Sequence, residues 1–108
     1  MITARELVDA IEELEAAALH RWIELGWVIP VHENEELQFD PSDVARVHLI
    51  CELHYDLCIE EDSMSVVLSL MDQLYATRRT LAALVSAVAE QPEDVQARIT
   101  DLINRNGP

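Results

Sequence analysis

The sequence predicts a mainly α-helical chain with one small β-hairpin and a long C-terminal helix that pairs with a second copy. Three observations carry this. Helix-start signals are sparse and legible, at Thr3-Ala4-Arg5-Glu6 and at Asp40-Pro41-Ser42-Asp43. Residues 27–40 change character, with two strand-like runs around a polar centre. A seven-residue apolar repeat then runs from Met64 to Val88.

Taken in order, Thr3 and Glu6 form a capping-box pattern, Thr as N-cap and Glu at N3, and open a short helix to about Ala10. Ile11-Glu12-Glu13 reads as a tight connection into a second helix. Leu14, Ala18, Leu19, Trp22 and Leu25 give that helix an apolar face of 3.6-residue period, and Gly26 stops it as a left-handed C-cap residue. Trp27-Val28-Ile29-Pro30-Val31 and Leu37-Gln38-Phe39 read as the arms of a hairpin around His32-Glu33-Asn34-Glu35-Glu36. Pro30 confines the first arm to an edge. Asp40 as N-cap and Pro41 at N1 start a third helix, predicted to run to about Cys58. Along it, Val44, Val47, Cys51, His54, Tyr55 and Cys58 form a broad stripe, widened by Ile50, Leu53 and Leu57. Glu60-Glu61-Asp62 is a polar break, with Asp62 or Ser63 as the next N-cap.

The fourth helix, about Met64 to Ala89, is the longest. Its a/d pairs are Met64/Val67, Met71/Leu74, Arg78/Leu81 and Val85/Val88, a seam of nearly four heptads with one arginine at an a position. Such a seam suits helix pairing, and a helix of roughly 25 residues exceeds what a domain of this size needs to cover. A homodimer through these eight residues is therefore expected. Arg78 either faces a carboxylate of the partner helix and sets register or lies in water. Gln91-Pro92-Glu93-Asp94 opens a last short helix to about Asn104, with Val95, Ile99, Leu102 and Ile103 on its apolar face. The order helix–turn–helix, hairpin, helix, long helix is that of a winged helix-turn-helix with a dimerisation arm. Residues 1–60 are assigned to the winged region and 61–108 to the long and last helices, within one structural domain.

Composition narrows the function. The formal charge is −14, from 21 Asp and Glu against seven Arg, with no Lys. Nucleic-acid binding needs a basic face to displace counterions from phosphates. Strong DNA, RNA or anionic-membrane binding is thereby disfavoured, and a basic protein partner or plain solubility is favoured. The first residues lack the charge and apolar pattern of a signal peptide, and no apolar run approaches the roughly 18 residues of a membrane span. Cys51 and Cys58, placed in one helix, would stand about 10 Å apart, beyond the roughly 7 Å limit of a disulfide. Free thiols without an export signal point to the cytoplasm. With only Gly26 and Gly107, the chain has no glycine-rich phosphate loop.

The segment Leu19-His20-Arg21-Trp22-Ile23-Glu24-Leu25-Gly26-Trp27-Val28-Ile29-Pro30 resembles the junction of second helix and wing in MerR-type winged helices. Phe39-Asp40-Pro41-Ser42-Asp43-Val44-Ala45-Arg46 resembles their junction of wing and third helix. Leu53-His54-Tyr55-Asp56-Leu57 and the run Val66-Val67-Leu68-Ser69-Leu70-Met71-Asp72-Gln73-Leu74 resemble the chaperone-modulator (CbpM) branch of that superfamily, and the likeness covers roughly residues 3–90. The resemblance implies a non-catalytic protein that binds the J domain of a DnaJ-like (CbpA-type) co-chaperone and blocks its work with the Hsp70 chaperone. The alternative it leaves open is a MerR-like transcriptional regulator with DNA or effector binding. Where MerR transcription factors usually place a second-helix arginine, this chain has His20. Their wing is usually basic; this one carries Glu33, Glu35 and Glu36, which repel phosphate.

J domains usually present a basic helix, so a competitor should offer carboxylates around an apolar patch. Glu33, Glu35 and Glu36 in the wing, and Asp56, Glu60, Glu61 and Asp62 at the later turn, are the candidates. Trp22 and Trp27 fit core packing between second helix and wing. His48, Cys51, His54 and Cys58 share one arc of a helix, but ligands strung along roughly 15 Å of helix cannot surround one ion. No metal or cofactor is expected. A nucleophile elbow is absent, and the adjacent carboxylate pairs Glu12/Glu13 and Glu35/Glu36 diverge, so no catalytic constellation is expected either.

Overall fold

A computed structural model describes residues 1–107. The elements are β1 (Ile2–Thr3), α1 (Ala4–Ala10), α2 (Ala16–Glu24), β2 (Val31–Glu33), β3 (Glu36–Phe39), α3 (Pro41–Cys51), a π-helical turn (Glu52–Asp56), α4 (Glu61–Ala89) and α5 (Glu93–Asn106). The chain forms two compact units, Met1–Ser69 and the part from Leu70 onward. The division falls inside α4, whose first turns bury Met64 and Leu68 and belong to the first unit.

In the first unit the Thr3 hydroxyl accepts from the Glu6 N–H at 3.2 Å and donates to the Glu6 carboxylate at 3.3 Å. The N-cap half of the capping box read from the sequence is thus formed, while Glu6 bonds the Thr3 hydroxyl in place of the Thr3 N–H. The connection to α2 is longer than the sequence indicates. Glu15 is the extended N-cap, so α2 starts at Ala16. Ile11 and Leu14 are buried in the connection itself, the Leu14 N–H bonding the Ile11 carbonyl at 3.1 Å.

The end of α2 is a Schellman motif. Leu25 is the C-cap and Gly26 follows with φ +78°. The Gly26 N–H bonds the Ile23 carbonyl and the Trp27 N–H bonds the Trp22 carbonyl, both at 3.0 Å. The hydrophobic contact that accompanies this motif is the pair of indoles, stacked with ring centres 6.4 Å apart. Both tryptophans are buried. Leu25, expected on the apolar face, sits at the turn and is exposed.

The wing differs from expectation in two ways. Its first arm begins only at Val31, because Trp27 and Val28 turn inward to the core and Pro30 has no N–H to give a ladder. The sheet also has three strands, ordered β1-β3-β2, with Ile2 opposite Phe39 and Thr3 opposite Gln38. On the other side of β3, Val31 lies opposite Gln38, His32 opposite Leu37 and Glu33 opposite Glu36. Asn34 and Glu35 close the hairpin with φ +51° and +64°, the two positive angles of a type I′ turn.

Helix α3 starts as read. Asp40 accepts from the Asp43 N–H at 2.7 Å, and the Asp43 carboxylate accepts from the Asp40 N–H at 3.1 Å, with Pro41 in the first turn. It does not continue to Cys58. After Cys51 the backbone widens into the π-turn, where the Leu57 N–H reaches the Glu52 carbonyl at 3.1 Å and the Ile59 N–H reaches that of Leu53 at 2.9 Å. Cys58 takes φ +57° and lies exposed with Leu57, so neither joins the predicted stripe. Helix α4 starts at Glu61, ahead of the predicted caps Asp62 and Ser63; the Glu60 carbonyl accepts from both Ser63 and Met64. The buried apolar core comprises Leu7, Leu19, Trp22, Val28, Phe39, Val47, Ile50, Met64 and their neighbours, all within Met1–Ser69.

In the second unit, α4 runs on to Ala89 and α5 follows. Gln96 ties the connection by donating to the Ala89 and Gln91 carbonyls at 3.2 and 2.7 Å. Leu74, Leu81, Leu84 and Val85 on α4, and Val95, Leu102 and Ile103 on α5, are exposed. No described helix is long and apolar enough to cross a membrane.

A Cβ at Gly26 would meet nothing within 4 Å, so a side chain there is penalised by backbone conformation alone. Gly26→Ala should lower unfolding free energy by about 1 kcal/mol, and Gly26→Asn by less, since Asn tolerates the left-handed region better. Urea melts of the three proteins test this order.

Candidate protein-interaction surface

Charge is unevenly shared between the two units. Met1–Ser69 holds 16 of the 21 carboxylates against Arg5, Arg21 and Arg46, a formal −13. From Leu70 onward, five carboxylates face Arg78, Arg79, Arg98 and Arg105, a formal −1. The acidity is thus a property of the winged-helix unit.

Within that unit two of the three arginines serve the fold. Arg21 on α2 donates to the Glu61 carboxylate at 2.6 Å from Nη2 and 3.4 Å from Nε. The same pair holds the Arg21 guanidinium above its usual pKa, first through the hydrogen bond and then through the charge of Glu61. Arg46 on α3 donates from Nε to the Trp27 carbonyl at 2.6 Å. On the exposed side of α2, His20 Nε2 lies 2.7 Å from Glu24 one turn on.

The α1–α2 pair and β3 enclose a shallow groove of about 340 Å³. Val8, Leu19, Ile23 and Leu37 form its apolar lining, with Ala4 and Ala16, and Arg5, Asp9 and His20 stand among the lining residues. A second depression shares Ala4, Arg5 and Leu37 with it and adds Glu6 and Glu36. The groove therefore opens toward the acidic wing. Sequence reading passed over it because its apolar residues come from three separate elements.

The wing carries its carboxylates against local preference. Glu33 is directly opposite Glu36, a like-charge cross-strand pair that weakens a hairpin. Glu35 occupies the second left-handed position of the turn, where glycine is strongly preferred. Departures from local rules of this kind concentrate at functional sites.

The second acidic group is less uniform. Asp56 closes the π-turn, Glu60 caps α4 through its backbone, and Glu61 and Asp62 lie in the first turn of α4. Glu61 is held by Arg21, whereas Asp56, Glu60 and Asp62 are exposed. Beside this group Trp22 lies 6.3 Å from the His54 ring and 6.4 Å from Tyr55, and Trp27 donates from Nε1 to the Ser65 hydroxyl at 3.1 Å. These bonds make both tryptophans packing residues.

Cys51 and Cys58 are both free. The premise that they share one α-helix is corrected by the π-turn. Burial of Cys51, reinforced by Glu13, Asp56 and Glu52, pushes its thiol up to about 11. Burial likewise raises Tyr55, with nearby Cys51 and Glu15 contributing. His54 Nδ1 is within 3.2 Å of the Ile59 carbonyl. No group of three or more His, Cys, Asp or Glu among the described residues is placed to hold a metal ion.

The eight seam residues divide by unit. Met64 is buried and Val67 half-buried in the first. In the second, Met71 and Val88 are half-buried, while Leu74, Arg78, Leu81 and Val85 are exposed.

In comparison with known proteins, a family model described as MerR HTH family regulatory protein matches residues 2–85. No curated protein and no solved structure matches the chain.

Two outcomes follow from this geometry. Glu35→Gly and Glu36→Lys should each raise the unfolding free energy, by about 1 kcal/mol and a few tenths of a kcal/mol respectively, in urea melts; a fall in either would mean that the wing is not strained. Cys58 should react with a thiol reagent in the folded protein while Cys51 waits for unfolding. The Cys51 thiol stays protonated when folded up to about 11, against an ordinary 9.0. Its contribution to stability is therefore complete below about pH 9 and is lost as the pH rises toward 11, which chemical melts across that range would record.

Proposed function

The chain belongs to the MerR HTH regulatory family, and on that premise we propose that it is a non-catalytic chaperone modulator. It binds the J domain of a DnaJ-like (CbpA-type) co-chaperone and inhibits it by occlusion. The observation that carries this reading is the formal −13 of Met1–Ser69 on a scaffold whose relatives offer cations to phosphate. Arg21 and Arg46 are engaged by Glu61 and the Trp27 carbonyl, and the wing bears Glu33, Glu35 and Glu36. Such a surface repels a polyanion and steers a basic protein toward itself. The likeness of Val66–Leu74 to the chaperone-modulator branch supports the same partner. Leu68 of that run is buried while Val66, Leu70 and Leu74 are exposed, so part of it serves packing and part remains available to another chain.

The same proposal includes a cytoplasmic homodimer. Met71, Leu74, Leu81, Val85 and Val88 supply the apolar seam that a second copy of α4 would cover, with Val67 at its start and Arg78 fixing register; Met64, expected in the seam, is buried in the core of its own unit and lies outside it. A second reading, a transcriptional regulator, is favoured by the family description itself. It requires that Arg5 and the histidines of α2 and the wing suffice for phosphate contact.

Titration of the purified protein with its cognate J domain at low salt should give saturable binding that weakens as salt rises. No complex at tens of micromolar would sink the modulator reading, and a sequence-selective gel shift at low salt would establish the regulator in its place. Met71→Glu and Leu74→Glu should convert the dimer to monomer in sedimentation. An unchanged mass with either variant would mean that the seam does not join two chains.

A further inference from the structure

The groove between α1, α2 and β3 has a composition that specifies its occupant. Its floor is aliphatic, from Val8, Leu19, Ile23 and Leu37, and Ala16 at the start of α2 leaves one wall low. Asp9 stands on its border, and Glu6 and Glu36 border the adjoining depression. Arg5 is the only arginine or lysine among the lining residues of either. An aliphatic floor with Asp9, Glu6 and Glu36 around it, against Arg5 and His20, matches a helix with an aliphatic stripe flanked by lysines or arginines. A nucleic acid fits less well, since the floor is aliphatic and the three carboxylates around it outnumber Arg5 in a unit of formal charge −13.

We infer that this groove docks a basic amphipathic α-helix of a protein partner. The helix lays its aliphatic stripe over Val8, Ile23 and Leu37 and sets its cations against Asp9, Glu6 and Glu36. Burial of aliphatic side chains in the floor supplies most of the affinity, and the exposed carboxylates supply orientation and rate of encounter. The wing lies within the same surface because Glu36 and Leu37 are consecutive residues of β3. This inference rests on the modulator reading and deepens it, since it assigns the J domain's basic helix to one face of the winged unit.

The test uses the full chain and the isolated J domain. Ala16 is exposed at the first position of α2, so Ala16→Arg keeps the fold while raising the low wall and adding a repelling charge. It should weaken J-domain binding roughly tenfold or more, with an unaltered melting curve. The double variant Asp9→Asn with Glu36→Gln should slow association and flatten its salt dependence while the dissociation rate changes little. Amide exchange in the complex should show protection in residues 4–10, 16–24 and 36–39. Wild-type binding that Ala16→Arg leaves within twofold overturns the groove while the modulator reading stands. Absence of wild-type binding removes both. A change of oligomeric mass in Ala16→Arg assigns the groove to a second copy of this chain and likewise overturns the inference.

Discussion

The exit of the chain from α2 is the constraint on which the winged-helix unit depends. The Schellman turn at Gly26 reverses the backbone within two residues and stacks Trp27 on Trp22. Helix α3 and the start of α4 are then secured to that turn. Arg46 of α3 bonds the Trp27 carbonyl, Ser65 of α4 accepts from its indole, and Glu61 of α4 clasps Arg21 on α2. His54 and Tyr55 pack their rings around Trp22. One left-handed residue thus fixes the positions of α2, α3 and the start of α4 together, because side chains and carbonyls of the turn are the shared partners.

That arrangement also determines what the surface can present. Two of the three arginines of this unit are paired within it, Arg21 with Glu61 and Arg46 with the Trp27 carbonyl. Carboxylates dominate what is left outside. The wing keeps three of them despite facing like charges and a glutamate in left-handed geometry. A surface of this sign repels a polyanion and attracts a cationic one.

The features legible in the sequence were those whose physics is local. Thr3 with Glu6, Asp40 with Asp43 and Pro41, and Gly26 after Trp22 each declare themselves within a few residues; the structure realises the last two in full and the N-cap half of the first. Hairpin and long helix were legible from periodicity. What escaped depends on distant partners. Two residues of β1 have no strand signal of their own and exist only because β3 pairs with them. The π-turn arises where α3 must redirect toward Ile59, and the pattern of Val47, Ile50 and Cys51 gives no warning of it. Arg21 and Glu61 are 40 positions apart and Trp27 and Ser65 are 38 apart. The acidic wing was legible as a site candidate, whereas the groove was not, since three elements contribute its floor.

The length of α4 has a consequence for how the molecule holds together in dilute solution. Its 29 residues extend about 43 Å, yet its buried residues, Met64 and Leu68, both lie in the first unit. A helix without tertiary support is marginal in water, because nucleation is costly and propagation gains little per residue. The winged-helix unit has a core of its own and folds by first-order chemistry. In the homodimer proposed above, the distal part of α4 gains its burial from the second copy, so its order follows mass action. Dilution should therefore fray the distal part of α4 while the tryptophan-centred unit persists, giving one polypeptide with two different dependences on its own concentration.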